Sequence, residues 1–438
     1  MADQRSFSPS TAIAVVVANM VGTGIFTSLG FQLMDIRSPF VILMLWAVGG
    51  TAALCGALCY AELASRLPRS GGEYHFLSRS WHPLAGFVSG WVSVTIGFAA
   101  PTALAAMTFS AYLSGLFPDL NAQLAAVVLV LVLTLLHCVS RNASGGMQSV
   151  MTALKVLLIL GFCLAVFLLA GQHQPVTFLP ATGDSELIFS GAFAISLIYV
   201  NYAYTGWNAA TYITNEVEDP RRNLPLILFA GTLLVMLLYL LLNVAFLLGA
   251  PMDALEGKIE IGFVVAEGAF GTQAGQVMGG ILSLMLISTV SAMIMAGPRV
   301  LQVIGEDFRI FRFLAAVRQG VPVSAILFQS ALTLVFILTS TFESVLVFSG
   351  FVLGINTLFA VMGVFVLRWR RIGEDAPYKT WGYPLTPLVY LGITLWTLVY
   401  ILINRPVEGL FGLALIGVGS IIYGVSRRLS GDAVKVSQ

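Results

Sequence analysis

The sequence VGTGIF, residues 21–26, interrupts the first apolar stretch of the chain, which runs over residues 9–34. Each glycine costs about 0.8–1.0 kcal/mol in a helix interior relative to alanine. Two glycines around Thr23 therefore indicate either close helix packing, which is common among membrane helices, or a break. A break would free backbone N–H groups at the positive end of a half-helix, and these can bind a carboxylate without a charged side chain.

A second segment of this kind is YAYTGWN, residues 202–208, within the apolar stretch 187–215. Its hydroxyl, amide and glycine residues are poor partners for lipid, so it is either a polar interface between helices or a second break. It falls in the sixth apolar stretch, which corresponds to the first if the chain contains two five-helix repeats. Transporters with inverted repeats place broken helices at such corresponding positions, so the pair favours two breaks.

The composition is that of an integral membrane protein. Of the 438 residues, 58% are hydrophobic and 10% are charged, and the mean hydropathy is +0.91. A soluble protein has roughly 25% charged residues. Twelve apolar stretches approach or exceed the length of roughly 20 residues that a membrane helix needs. We therefore predict an all-α protein with helices at residues 9–34, 40–64, 84–116, 123–140, 149–171, 187–215, 224–249, 274–304, 322–340, 343–367, 384–403 and 407–426.

The positive charges predict the orientation in the membrane. If the N-terminus is cytoplasmic, only Arg37, Lys258 and Arg405 fall in outer loops, and Lys155 lies within a helix. The other Lys and Arg residues all fall on the inner side, so both termini are predicted to be cytoplasmic. The net charge of +1 gives no basis for nucleic-acid binding.

Neither an enzyme nor a channel is predicted. The apolar stretches lack paired carboxylates, a nucleophile with a base, and clustered metal ligands, which a membrane enzyme would need. They also lack the charged rings or repeated filter loops of channels. The four cysteines fall within predicted helices, and the four histidines are not spaced as metal ligands, so no metal or cofactor is predicted.

Several motifs resemble the amino acid–polyamine–organocation (APC) superfamily of transporters, and most closely the bacterial relatives of its L-type branch. GTGIF at 22–26 resembles the family signature G-[ST]-G-I-F. Further resemblances follow in the family's order, at residues 60–63 and 68–74, 204–208 and 216–225, and 368–384. The resemblance implies a LeuT-like fold in a single membrane domain, with inverted repeats at 1–171 and 187–367 and two further helices at 384–426. It also implies a location in the plasma membrane, here the bacterial inner membrane.

The resemblance also implies a substrate site at the two breaks. The substrate carboxylate would meet the N–H groups of Thr23 and Gly24, and the ammonium would meet carbonyl groups near Met20, Tyr202 and Thr205. The whole predicted substrate set is Met20, Gly22, Thr23, Gly24, Tyr202, Ala203 and Thr205. Tyr202 would also act as an aromatic lid. Trp207 and Asn208 would serve as gate or pocket lining, or equally as ordinary core residues.

Lys155 is the one cationic residue near the middle of a predicted helix. Either its long side chain reaches back to the interface, or it is buried for a function. The resemblance favours function, because L-type relatives hold a lysine where sodium-coupled relatives hold a sodium ion. Its partners would be carbonyl groups of the first helix and hydroxyl groups of the eighth, among Ser288, Thr289 and Ser291.

These expectations together describe a sodium-independent exchanger or facilitator. Many L-type relatives have glycine where this chain has Thr205, so the added bulk predicts small to medium neutral L-amino acids as substrates. A proton-coupled symporter, or a transporter of cationic amino acids or amines, stays open as an alternative. Residues 117–121 contain no cysteine for a disulfide to a heavy-chain glycoprotein, so no such partner is expected.

Overall fold

The computed structural model describes residues 8–69, 71–139, 145–318 and 320–430. Within these ranges the chain is helical and contains no β-strand. The first half of the fold consists of α1 (Pro9–Met20), α2 (Ser28–Gln32), α3 (Pro39–Arg66), α4 (Gly72–Ser80), α5 (Pro83–Val92), α6 (Ala99–Leu116), α7 (Ala122–Val139), α8 (Gly145–Leu169) and α9 (Asp184–Ile188).

The second half begins with the helix that carries the second predicted break. Its elements are α10 (Gly191–Tyr204), α11 (Pro220–Gly249), α12 (Met252–Leu255), α13 (Ile261–Phe270), α14 (Thr272–Asp307), α15 (Val323–Thr339), α16 (Phe342–Trp369), α17 (Leu385–Asn404) and α18 (Pro406–Ser430). Each of the twelve predicted apolar stretches contains at least one of these helices.

Several of the helices can cross a membrane. In the described part of the chain, eight are long and apolar enough to do so: α3, the α5–α6 unit, α7, α11, α14, α16, α17 and α18. Four shorter apolar helices accompany them: α1, Ala153–Leu169 of α8, α13 and α15. Large side chains on their outer surfaces are exposed, such as Leu135 at 64% and Leu284 at 69%. The chain is therefore a multi-pass membrane protein, because such surfaces are stable only against lipid.

Local sequence signals explain where the long helices begin. The Ser38 hydroxyl accepts a hydrogen bond from the Val41 N–H at 3.3 Å, and Pro39 occupies the first turn of α3. The Thr341 hydroxyl caps α16 in the same way, through the Ser344 N–H at 3.2 Å. Such caps satisfy donors that a helix start leaves unpaired, so these helices begin within about two residues of their predicted positions.

Two predicted loops contain helices instead. The loop 65–83 holds α4, and the loop 250–273 holds α12 and α13. α4 is polar on average, and its buried face includes His75 and Phe76. Neither α4 nor α13 is long enough to span a membrane, so a search for long apolar stretches passes over both. The predicted helix 84–116 is also interrupted, by a π-helical turn at Ser93–Gly97 between α5 and α6.

The two interrupted helices occupy the interior of the bundle. α1 packs against α8 and α11, and α10 packs against α3, α16 and α17. The residues at the interruptions are almost fully buried: Thr23 is 4% exposed and Ala203 is 2% exposed. Polar backbone groups are therefore held in the interior by neighbouring protein rather than by lipid, as irregular backbone at membrane depth requires.

Candidate functional site

The first helix is interrupted at the two glycines. α1 ends at Met20, the chain bends over residues 21–23, and a 3₁₀ turn at Gly24–Phe26 leads into α2. The Val21 N–H donates to the Val17 carbonyl and the Gly22 N–H to the Met20 carbonyl, both at 2.8 Å. Within the described chain, the next three N–H groups, of Thr23, Gly24 and Ile25, have no acceptor. Three successive buried donors are therefore available to an anion.

The second interruption lies in the sixth predicted helix. α10 ends at Tyr204, a turn covers residues 205–208, and a 3₁₀ helix follows at Ala209–Glu216. Gly206 has a φ of +106°, which side chains rarely adopt. The Thr205 N–H donates to the Tyr202 carbonyl at 2.9 Å, and the Thr205 carbonyl has no donor among the described residues. Because a carbonyl oxygen has two lone pairs, both carbonyls can accept a further hydrogen bond from a cation.

The two interruptions touch through their backbones. A Cβ atom placed on Gly24 would lie 2.5 Å from the Ala203 Cα atom, and one placed on Gly206 would lie 2.8 Å from the Asn19 carbonyl carbon. Real Cβ atoms do not approach other heavy atoms so closely. Both glycines are therefore needed to bring the free N–H groups of the first break beside the carbonyl groups of the second.

Tyr239 on α11 joins the two half-helices that end at the breaks. Its hydroxyl lies 2.6 Å from the Met20 carbonyl oxygen and 3.0 Å from the Ala203 carbonyl oxygen. The Met20 oxygen thus has two donors, the Gly22 N–H and Tyr239, which use its capacity in this conformation. The sequence does not single out Tyr239, because nothing about one tyrosine in a leucine-rich helix indicates contacts with residues so distant along the chain.

Replacing Tyr239 by phenylalanine is expected to weaken transport without unfolding the protein. The change removes the one hydroxyl hydrogen that the buried Met20 and Ala203 carbonyl oxygens share, at a cost of about 1–3 kcal/mol. We expect a lower exchange rate in vesicles and a lower thermal midpoint. Asn243→Leu, one turn further along α11, is the control, since its amide donates, among the residues that the structure describes, only to the Tyr239 carbonyl of its own helix. Equal losses in both variants would contradict a specific role for the Tyr239 hydroxyl.

Lys155 on α8 reaches the first break. Its ammonium donates to the Thr289 hydroxyl at 2.9 Å and to the Val21 carbonyl at 3.4 Å, and Lys155 is only 7% exposed. Of the predicted hydroxyl partners, Thr289 is brought to the ammonium, while Ser291 pairs with His137 at 2.8 Å. Ser288 makes no hydrogen bond with Lys155 among the described residues. The buried ammonium therefore ties α8 and α14 to the break, and its side chain does not reach back to the interface.

The predicted gate residues divide into two groups. Tyr202 is 8% exposed and its side chain interacts with Thr23, so it lies against the first break. Trp207 packs edge-on against the Tyr60 ring at a centroid distance of 4.6 Å. Asn208 donates to the Glu73 carboxylate. Trp207 and Asn208 thus belong to a buried layer formed with α3 and α4, beside the break rather than at its free N–H groups.

A separate polar cluster surrounds Glu62 at the end of α3. This fully buried carboxylate accepts hydrogen bonds from Arg66, Arg368 and Thr380, all at 2.7–2.9 Å. One of these donors is the Thr380 backbone N–H, so Glu62 caps the segment between α16 and α17. Nowhere in the described part of the chain, this cluster included, do three His, Cys, Asp or Glu side chains lie close enough to hold a metal ion.

Comparison with known proteins agrees with this geometry. The family model described as amino acid permease matches residues 7–421. The chain is 30% identical to large neutral amino acids transporter small subunit 2 of Oryctolagus cuniculus, over 94% of this chain and 78% of that protein. It is 26% identical to b(0,+)-type amino acid transporter 1 of Mus musculus, over 96% and 87%. It is 27% identical to Asc-type amino acid transporter 1 of Mus musculus, over 94% and 79%.

These relatives overturn one expectation. The first of them is named a small subunit, which describes a chain that works in an assembly with another subunit. The expectation that this chain works without a heavy-chain glycoprotein is therefore wrong. It was drawn from the lack of a cysteine in residues 117–121, which bears only on a disulfide at that loop. Packing between subunits through noncovalent contacts leaves no such mark in a sequence.

The family and the architecture point the same way. A match over nearly the whole chain accompanies a helical membrane fold whose two interrupted helices meet in the interior. Known members and relatives are transporters rather than enzymes. The chain belongs to the amino acid permease family of the APC superfamily of membrane transporters.

Proposed function

We propose that this protein exchanges small to medium neutral L-amino acids across the membrane by alternating access, without sodium. The observation that carries the proposal is the row of unpaired N–H groups at Thr23, Gly24 and Ile25 beside the carbonyl groups of Tyr202 and Thr205. Together they match the carboxylate and ammonium of a zwitterion. Hydrogen bonds to charged groups contribute about 1.5–3 kcal/mol each, so a few suffice for specific binding.

Fewer carbonyl groups are free to bind the substrate ammonium than the sequence suggested. The Met20 carbonyl is already used by the Gly22 N–H and Tyr239, so the ammonium would bind at Tyr202 and Thr205. The Gly22 N–H is likewise used within the helix end, which leaves Thr23, Gly24 and Ile25 for the carboxylate. Ala203 supplies the close backbone contact with Gly24 rather than a ligand atom.

Sodium independence follows from Lys155. Its ammonium already provides a positive charge between Val21 and Thr289, so a sodium ion there would meet an uncompensated like charge in the interior. Burying an unpaired charge is costly, which makes simultaneous occupancy unfavourable. The Lys155 contacts would then do what a bound cation does elsewhere, holding the first break in a binding conformation.

The finer architecture belongs to the same proposal. We infer twelve membrane crossings, with inverted LeuT-like repeats at residues 1–171 and 187–367 and two added helices at 384–426. The protein would lie in the inner membrane of a bacterial cell, with both termini in the cytoplasm. The location of the two interruptions, each in the first helix of its repeat, supports this arrangement.

Substrate class and coupling can be tested together on purified protein. We expect neutral amino acids to raise the thermal midpoint, since a ligand at 100 times its Kd stabilises by about 2.7 kcal/mol. In vesicles, exchange of labelled substrate should be the same in sodium and in choline, and a pH gradient should drive no net uptake. Uptake that requires sodium, or net uptake driven by protons, would contradict the exchanger. A larger thermal shift with lysine or arginine would contradict the neutral substrate.

A further inference from the structure

The lipid-facing surface carries a groove that the substrate site does not use. It lies between α8, α13 and α14 and has a volume of about 510 Å³. Pockets for small molecules typically measure roughly 300–1,000 Å³. α8 lines one wall with a stripe at the spacing of helical turns, which runs from Leu157 and Leu158 through Gly161 and Phe162 to Ala165. At a rise of 1.5 Å per residue, this wall is about 12 Å long.

α14 forms the opposite wall and α13 closes one end. The α14 wall includes Val277 and Met278, and the α13 end includes Phe270. Gln273 is the one polar side chain in the lining, and it is the second residue of α14. The groove is thus apolar along its length and polar only where α14 begins. A phospholipid has the same distribution, with a long apolar tail below a polar headgroup.

Glycine at position 161 keeps the groove open. A Cβ atom at Gly161 would meet no described atom within 4 Å, and the neighbouring Leu157 and Val277 are 65% and 62% exposed. An apolar groove at membrane depth offers water almost no hydrogen-bond partner, whereas an acyl chain that enters it buries apolar surface and makes dispersion contacts. The groove is continuous with the lipid-facing surface of α8 and α14, so membrane lipid is the molecule that can enter it directly.

The groove is connected to the first break. Its residues Leu158, Phe162 and Met278 also line a small cavity of about 10 Å³, and Phe26 lines the same cavity. A cavity of that size has room for about one probe sphere, so Phe26 packs almost directly against these side chains. Phe26 ends the 3₁₀ turn that follows the free N–H groups. A movement of the groove wall would therefore be transmitted to the substrate site through the side chains of Leu158, Phe162 and Met278.

A hydrogen-bonded route runs in parallel. The Gly262 N–H in the first turns of α13 donates to the Tyr112 hydroxyl oxygen at 2.9 Å. The Tyr112 hydroxyl in turn donates to the Phe26 carbonyl at 3.1 Å. α13, which closes the groove, is thus hydrogen-bonded through Tyr112 to Phe26, the residue that the groove wall supports.

We propose that one acyl chain of a membrane phospholipid occupies this groove and supports Phe26 and α2 during transport. The binding site stands on the groove alone, while its effect on transport rests on the proposed function. A filled groove holds Leu158, Phe162 and Met278 against the cavity behind Phe26. An empty one lets these side chains relax outwards, which loosens the 3₁₀ turn that presents the substrate N–H groups.

The test blocks entry of the acyl chain into the groove with a protein side chain. Gly161→Phe places an aromatic ring between the walls, and Val277→Trp does so from the opposite wall. Gly392→Phe is the matched control, since Gly392 is also an exposed helical glycine with no described atom within 4 Å of its Cβ position. Each protein is purified in mild detergent with palmitoyl-oleoyl phosphatidylglycerol, and retained lipid is counted by native mass spectrometry.

We expect wild type and Gly392→Phe to retain one more phospholipid per chain than Gly161→Phe and Val277→Trp. Equal retention in all four proteins would overturn the proposal. Displacement of that phospholipid from wild type by added cholesterol would overturn the assignment to an acyl chain and indicate a sterol instead.

Exchange in vesicles gives the second readout. We expect Gly161→Phe, whose single ring excludes the acyl chain but leaves most of the groove unfilled, to exchange amino acid about fivefold or more slowly than Gly392→Phe, the lower end of typical coupling between two sites. Equal exchange rates together with lost lipid would overturn the coupling to Phe26. If no amino acid shifts the thermal midpoint of any of the four proteins, the proposed function fails, while the lipid count still decides the groove.

Discussion

Gly24→Ala is expected to reduce amino acid exchange at least tenfold. The new methyl group would lie 2.5 Å from the Ala203 Cα atom and 2.8 Å from its Cβ atom, and the backbone cannot rotate aside as a flexible side chain can. Overpacking of this kind costs typically about 1–3 kcal/mol, occasionally more. The two interruptions must then separate, which draws the free N–H groups away from the carbonyl groups of Tyr202 and Thr205. Exchange of labelled neutral amino acid in vesicles measures the loss.

Gly22→Ala is the matched control in the same turn. A Cβ atom there would meet only the Met20 carbonyl oxygen, at 3.9 Å, and Gly22 does not have a positive φ. Its N–H is also already used by Met20. We expect Gly22→Ala to keep most of the exchange rate and the thermal shift by substrate. If Gly22→Ala is as damaging as Gly24→Ala, contact between the two breaks is not what glycine provides.

Removing the Lys155 ammonium is expected to reduce exchange by about 10- to 100-fold. Lys155→Ala deletes two hydrogen bonds of a charged donor, to Thr289 and to the Val21 carbonyl, and such bonds contribute about 1.5–3 kcal/mol. The Val21 carbonyl then points into the interior without a donor, and the bend that presents Thr23 loses its support. The measurement is exchange in sodium-free vesicles, with the thermal shift by substrate as a second readout.

Lys258→Ala removes an exposed lysine and serves as the control. Thr289→Val removes one acceptor of the ammonium while keeping the shape of the side chain, and its effect should be in the same direction as that of Lys155→Ala but smaller. If Lys155→Ala exchanges substrate like wild type, the ammonium has no part in holding the first break. If wild type itself requires sodium, Lys155 does not replace a cation.

The sequence alone was sufficient for the class of protein and for the location of the two breaks. Both are local properties. The composition of an apolar stretch indicates that it lies in a membrane. A glycine in the middle of a helix indicates a weak or strained backbone, as at Gly206 with its positive φ. Local signals also set helix starts, as at Ser38 and Pro39. Short helices such as α4 and α13 were missed, since they are too short to stand out as apolar stretches.

Only the tertiary structure decided which groups serve the breaks. It selected Thr289 over Ser288 for Lys155, brought Tyr239 to the Met20 carbonyl, and left the Ile25 N–H free. These contacts join residues 134 and 219 positions apart. A hydrogen bond depends on distances of a few tenths of an ångström, which packing among α8, α11 and α14 determines and which no pattern in one segment contains. A broken helix is thus predictable from its own residues, whereas its partners are a property of the whole bundle.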